Sequence, residues 1–138
     1  MLSAANDGYI LAWSSGGGVS DRIPIGMPVY CMAINPRRHQ LVCGVNGGIR
    51  VYALDENRLS GHVIDNDVLF VACEHQDIVR CIICNESRIY SAGYDHQLVI
   101  YDSSYTGDNS LVPIFQNPTA HDAGISCLLL AKDNENNT

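Results

Sequence analysis

Three eleven-residue segments, Ser3–Trp13, Val42–Tyr52 and Ser91–Tyr101, overlay without a gap, and this internal repeat constrains the fold more than any other feature of the chain. Each opens with small residues, passes through a polar turn centred on Asp7, Asn46 or Asp95, and closes on an apolar run ending in an aromatic. The turn residue precedes that aromatic by six positions every time. Asn6-Asp7-Gly8 and Asn46-Gly47-Gly48 are strong hairpin signals, because these residues tolerate the positive φ that tight turns demand. The repeat predicts a series of strand–turn–strand units.

A second pattern recurs upstream of these hairpins. His75–Cys81 aligns with His121–Cys127, and the more divergent Ile25–Cys31 aligns with both. Trp13 and Tyr52 stand 39 residues apart, His75 and His121 46, and Tyr52 and Tyr101 49. Units of about 40–45 residues with several short strands each are the sequence signature of propeller blades. The first unit predicts strands at about 2–5, 9–14 and 22–25, the last following a flexible connection at Gly16-Gly17-Gly18. The second predicts strands at about 29–34, 40–45, 49–54 and 68–73, and the third at about 78–84, 88–92, 98–102 and 111–115. A fourth unit begins at about 125–131. The long second interval holds extra polar residues, from Asp55-Glu56-Asn57-Arg58 through Asp65-Asn66-Asp67, which read as a loop insertion. No stretch carries a 3.6-residue apolar period long enough for a helix. The expected class is all-β, with units at about 1–25, 26–73, 74–115 and 116–138.

Composition supports a packed domain and narrows its business. At 46% hydrophobic and 17% charged, the 138 residues are neither a disordered chain nor a polar tail. Eight Lys and Arg against 15 Asp and Glu leave a net charge of −7, the wrong sign for binding a phosphate backbone, so no nucleic acid partner is expected. The longest apolar runs, Val29–Ile34 and Val68–Cys73, are six residues long, too short for a membrane span. Met1–Asp7 has neither a basic nor an apolar leader segment. An intracellular location is therefore expected, cytoplasm ahead of nucleus, with cytoskeletal or ciliary association left open.

The motifs that suggest chemistry have plainer readings. Cys31, Cys81 and Cys127 each sit in an apolar strand-like run and read as reduced core residues. Cys81-Ile82-Ile83-Cys84 has metal-motif spacing, but residues three apart in a strand face opposite sides, so no metal is expected. Gly16-Gly17-Gly18 lacks the Lys-Ser/Thr of a phosphate loop. Asp65-Asn66-Asp67 and Asp133-Asn134-Glu135 lack the Gly and terminal Glu of a calcium loop. Arg37-Arg38-His39 reads as a solvated turn after Asn35-Pro36. Ser91, His75 and Asp95 are the residue types of a nucleophilic triad, but no Gly-x-Ser-x-Gly elbow surrounds Ser91.

Over nearly its whole length the chain resembles the WD-repeat (WD40) β-propeller family. In that family the third strand of a blade ends on Trp-Asp. A His before the first strand, a Ser or Thr on the second, the turn Asp and the Trp form a hydrogen-bonded tetrad. The resemblance implies a structural tetrad of His75, Ser91, Asp95 and Tyr101 in the third unit, with Asp102 following. It implies partial tetrads from Ser3, Asp7 and Trp13 in the first unit and from His121 in the fourth. In the second unit Ile25, Val42, Asn46 and Tyr52 replace the four, and no tetrad is expected. The implied architecture is an open arc of antiparallel four-stranded blades, two complete and two partial, for which self-association is expected. The implied function is a non-catalytic scaffold for protein partners within a larger complex, without cofactor or metal, as in family members that serve ciliary and ubiquitin-ligase assemblies. The candidate protein-binding face carries Met27, Gln76, Asp77, Tyr94 and His96. The alternative is an enzymatic or ligand-binding propeller whose site lies in other blades.

Overall fold

The structure is a computed structural model that describes residues 1–36, 38–55, 63–85, 87–102 and 112–131, with only the backbone of 65–67. Three antiparallel sheets follow one another along the chain. The first is a meander of β1 (Leu2–Ala4), β2 (Tyr9–Trp13) and β3 (Val19–Pro24). The second orders β4 (Cys31–Asn35), β5 (Gln40–Val45), β6 (Gly48–Leu54) and β7 (Ile64–Ala72), each paired with its sequence neighbour. The third does the same with β8 (Val79–Asn85), β9 (Arg88–Gly93), β10 (Leu98–Asp102) and β11 (Val112–Asn117). No helix occurs among the described residues. The blade-like reading of the repeat is therefore the architecture.

Packing between the sheets explains the apolar pattern. A sheet buried on one face alternates, whereas a sheet covered on both reads as a continuous apolar run. The central sheet is of the second kind, and Leu41 through Val45 are all buried. Leu41, Cys43 and Val45 pack with Ile10, Ile23 and Tyr52 toward the first sheet. Val42 joins Ile49, Val51, Val79, Ile82, Ile89, Val99 and Tyr101 toward the third. Two cores of opposite strand parity thus share one sheet. A polar tie adds to the first, where the Asp21 carboxylate of β3 accepts the Val63 N–H just before β7 at 2.7 Å.

The repeat also shows in the irregularities. Between the last strand of each sheet and the strand before it the ladder shifts register at the closing aromatic, at Ala12/Trp13, Val51/Tyr52 and Ile100/Tyr101. A one-residue bulge of this kind turns the strand and raises its twist.

Several expectations need correction. Gly16-Gly17-Gly18 is no slack connection: Gly17 N donates to Ser14 O at 3.1 Å and Ser14 N to Gly18 O at 2.8 Å, closing a hairpin turn that lets β3 start at Val19. The proposed insertion is shorter than expected, because Asp65-Asn66-Asp67 belong to β7. That strand forms the sheet's outer edge, where one side of the ladder meets water and polar residues cost little. Buried Ile64, paired with Leu54, anchors its start. The rest of the insertion, at 56–62, lies outside the described residues, as do Arg37, the expected strand start at 111 and the Asp133-Asn134-Glu135 tail. Residues 125–131 form no ladder among the described residues; they are held instead by single bonds, from Ile125 N to Gly93 O at 2.8 Å and from Leu128 N to the Cys81 sulfur at 3.1 Å. Cys127 is consequently exposed rather than a core residue, while Cys31 and Cys81 are half-buried, and all six cysteines are free thiols.

Glycine is obligatory where strand entries approach a neighbouring turn. A Cβ on Gly93 would run into the Ile78 carbonyl and lie 2.9 Å from the Val79 Cα, backbone that cannot step aside. At Gly16 a Cβ would meet only the Ser14 hydroxyl, at 4.0 Å. Gly93→Ala should therefore cost about 1–3 kcal/mol, while Gly16→Ala should stay within about 0.5 kcal/mol of wild type. Urea melts of the two variants check this, and equal midpoints would contradict it.

Candidate functional site

The polar chemistry concentrates in the third sheet, at the turn between β9 and β10. A carboxylate can only accept, so His75 Nδ1–H donates to Asp95, at 2.9 and 3.1 Å from its two oxygens. The far ring nitrogen, Nε2, lies 2.7 Å from the Ser91 hydroxyl on β9. In the neutral ring that nitrogen accepts, and the hydroxyl is the donor. Asp95 also takes the backbone N–H of Gln76 at 2.9 Å and of Gln97 at 3.2 Å, and the Gln97 side-chain amide at 2.8 Å. One carboxylate thereby joins the turn, the entry to β8 and the start of β10. Burial alone would raise the Asp95 pKa, but the Gln76 N–H, the His75 ring and the Gln97 N–H outweigh it and hold the carboxyl below its ordinary range.

Tyr101 takes the place of the aromatic without its hydrogen bond. Its hydroxyl is fully buried near Glu74 and Ser91 and finds no partner within bonding geometry; Glu74 Oε1 is likewise unmatched. Burial, reinforced by the Glu74 carboxylate, pushes the phenol above its usual range. The first sheet shows the opposite case. Trp13 Nε1–H donates to Ser3 Oγ at 2.8 Å, and Asp7 accepts the Tyr9 N–H at 3.1 Å. His121 is exposed and makes no described bond to a turn carboxylate.

The turns themselves are equivalent. Gly8, Gly47 and His96 follow the turn residue in the three sheets and have φ of 82°, 92° and 68°. His96 thus occupies a left-handed position that its neighbours give to glycine. Its part in the expected face is mainly backbone: its N–H donates to Gly93 O and its carbonyl accepts from Ala120 N. Met27 is half-buried and packs on the first core, while Gln76, Asp77 and Tyr94 are exposed. Asp77 caps the Ile78 N–H with its side chain and accepts from Gly47 N with its carbonyl.

Gln97 and Glu74 were not legible from the repeat. Gln97 is buried, and its amide bridges Asp95 to the Glu74 carbonyl at 3.1 Å, while Gln116 of β11 donates to its Oε1 at 2.9 Å. The available signal was an amide two residues after the turn Asp, where Tyr9 and Gly48 stand in the other units.

This arrangement of sheets and turns is the WD40-repeat β-propeller fold. Two solved structures that share it are described as "Structure of U3-55K" and "Crystal structure of RRP9 WD40 repeats". Each superposes with a TM-score of 0.67 at 22% sequence identity over 91% of this chain. The chain spans 37% of the length of each. No protein-family model matches the sequence, and no curated protein is detectably similar to it.

Two predictions follow from these bonds. A carboxyl with a depressed folded pKa stabilises fully above its unfolded value near pH 4 and loses that contribution as pH falls through the folded value. Asp95→Asn should accordingly be less stable than wild type by about 1–3 kcal/mol at pH 7, with the gap narrowing below about pH 4. Denaturant melts from pH 7 to pH 3 measure it, and a gap that widens in acid would refute the assignment. Tyr101→Phe removes a buried hydroxyl with no partner and should be neutral or stabilising by up to about 1 kcal/mol. Trp13→Phe loses the Ser3 bond and should cost about 1 kcal/mol or more, a sign difference that thermal melts will reveal.

Proposed function

We propose that this chain is a non-catalytic WD-repeat scaffold that holds protein partners within a larger complex. The observation that carries the reading is the burial of the catalytic-looking array at His75, Ser91 and Asp95. Ser91 is fully buried and the His75 side chain has no exposed surface, so no substrate atom can reach the pair. Nucleophilic chemistry needs a reacting atom within about 3 Å of both hydroxyl and oxyanion donors, and the Gln76 and Gln97 N–H groups beside the array are spent on the Asp95 carboxylate. At the same end of the sheets, Gln76, Asp77 and Tyr94 stand exposed on loops whose backbones are pinned. A rigid scaffold that displays short loops suits recognition.

The test is affinity capture with the full chain and two surface variants. The triple change Gln76→Ala, Asp77→Lys, Tyr94→Ala should abolish retention of specific partners. Arg88→Ala, exposed at the opposite end where β9 begins, should retain them. Capture that ignores the first variant and fails with the second would overturn the assigned face.

A further inference from the structure

All three sheets converge on one cavity of about 610 Å³, and its lining inverts the charge of the chain. Ala5 and Asn6 come from the end of β1, Tyr30 from the entry to β4, Ile78 and Arg80 from the entry to β8, and Tyr94 from the third turn. In a chain of net charge −7, no carboxylate is among the described residues that line it, and Arg80 is its cation. Three acidic residues adjoin lining residues in sequence, and each carboxylate is bonded in its own turn: Asp7 accepts the Tyr9 N–H, Asp77 the Ile78 N–H at 2.7 Å, and Asp95 the Gln76 N–H and the His75 ring.

Arg80 is aimed there by the backbone. The β8–β9 ladder pairs Val79 with Gly93 and Cys81 with Ala92, leaving Arg80 as the extra residue of a bulge. Bulges re-aim a side chain out of the regular alternation. The exposed guanidinium donates from Nη1 to the Tyr30 carbonyl at 3.2 Å, which fixes its position and uses one of five N–H donors. The planar fork that remains matches a carboxylate, and Tyr30 and Tyr94 are among the residues that line the cavity beside it.

We infer that this cavity receives an acidic side chain, Glu or Asp, from an extended segment of a protein partner. The inference rests on the protein-binding reading and specifies its chemistry. Charge complementarity selects the occupant: the chain repels polyanions as a whole, so a nucleic acid gains little at one cation, whereas a single carboxylate needs only one.

The experiment titrates the isotope-labelled full chain with a synthetic Gly–Gln peptide carrying one Glu, using the same peptide with Gln in place of that Glu and a single-stranded oligonucleotide as comparisons. Saturable NMR shifts at the Arg80 side chain and at the Asn6, Tyr30 and Tyr94 amides are expected with the Glu peptide alone. Arg80→Gln should weaken that binding about tenfold, and Arg80→Lys should recover part of it. An Arg80→Gln spectrum unchanged away from the cavity shows that the variant remains folded. The inference is overturned if the Glu peptide leaves these resonances unmoved, if Arg80→Gln binds equally well, or if the oligonucleotide competes for the same residues. Partner capture that still depends on the exposed loops would leave the broader reading standing in each of those outcomes.

Discussion

Each turn at the strand-entry end is bonded to the chain segment that follows its own sheet or enters the next one, and the arrangement of the sheets depends on those bonds. Val29 N donates to Ala5 O, Gly47 N to Asp77 O, and Ile125 N to Gly93 O. Asn46 adds an isolated bridge to Ile78. Sheet faces pack through non-directional apolar contacts, which allow sliding. Backbone hydrogen bonds at one end remove that freedom. They also demand close approach, which is why small residues, Ala5, Gly44 and Gly93, stand two positions before the turn residue of each unit. At Gly44 an added Cβ would collide with the Cys31 thiol and come within 2.9 Å of the Val79 carbonyl.

The three turns meet this demand differently. In the third sheet a charged acceptor, Asp95, gathers four donors, His75 among them. In the second, Ile25 and Val42 offer no such network, and the backbone of Asp77 and Ile78 holds the turn directly. The first keeps the aromatic–hydroxyl half of the pattern in Trp13 and Ser3 and a short Asp7 cap on Tyr9. Such divergence is tolerable because each bond adds only about 1 kcal/mol net, so one turn can drop its network without losing the fold.

What the repeat exposed was everything with a fixed spacing. The turn residues, the closing aromatics and the apolar runs of β5, β6, β9 and β10 all follow from the repeated segments and the unit length. Features resting on an absent period were missed. The polar start of β7 looked like loop because an edge strand need not alternate, and its bulges absorb extra residues. The Gln97 bridge depends on three dimensions, joining residues from the β8 entry, the turn and β11. Arg80 looked like an unremarkable strand residue, since a bulge is invisible until the ladder is drawn.

His75, Ser91 and Asp95 show how little a constellation says before its solvent access is known. Their order and distances are those a hydrolase would use: carboxylate to Nδ1 at 2.9 Å and Nε2 to hydroxyl at 2.7 Å. The same bonds, buried, become a cross-link between a turn and the strand beside it. A catalytic His must change protonation while its partners keep their places, whereas this one holds two elements that the rest of the arc is built upon. Moving it would release the Asp95 turn and, through Gly93 O, the tether to Ile125. Loops pinned in this way before any contact is made lose less entropy when something binds them.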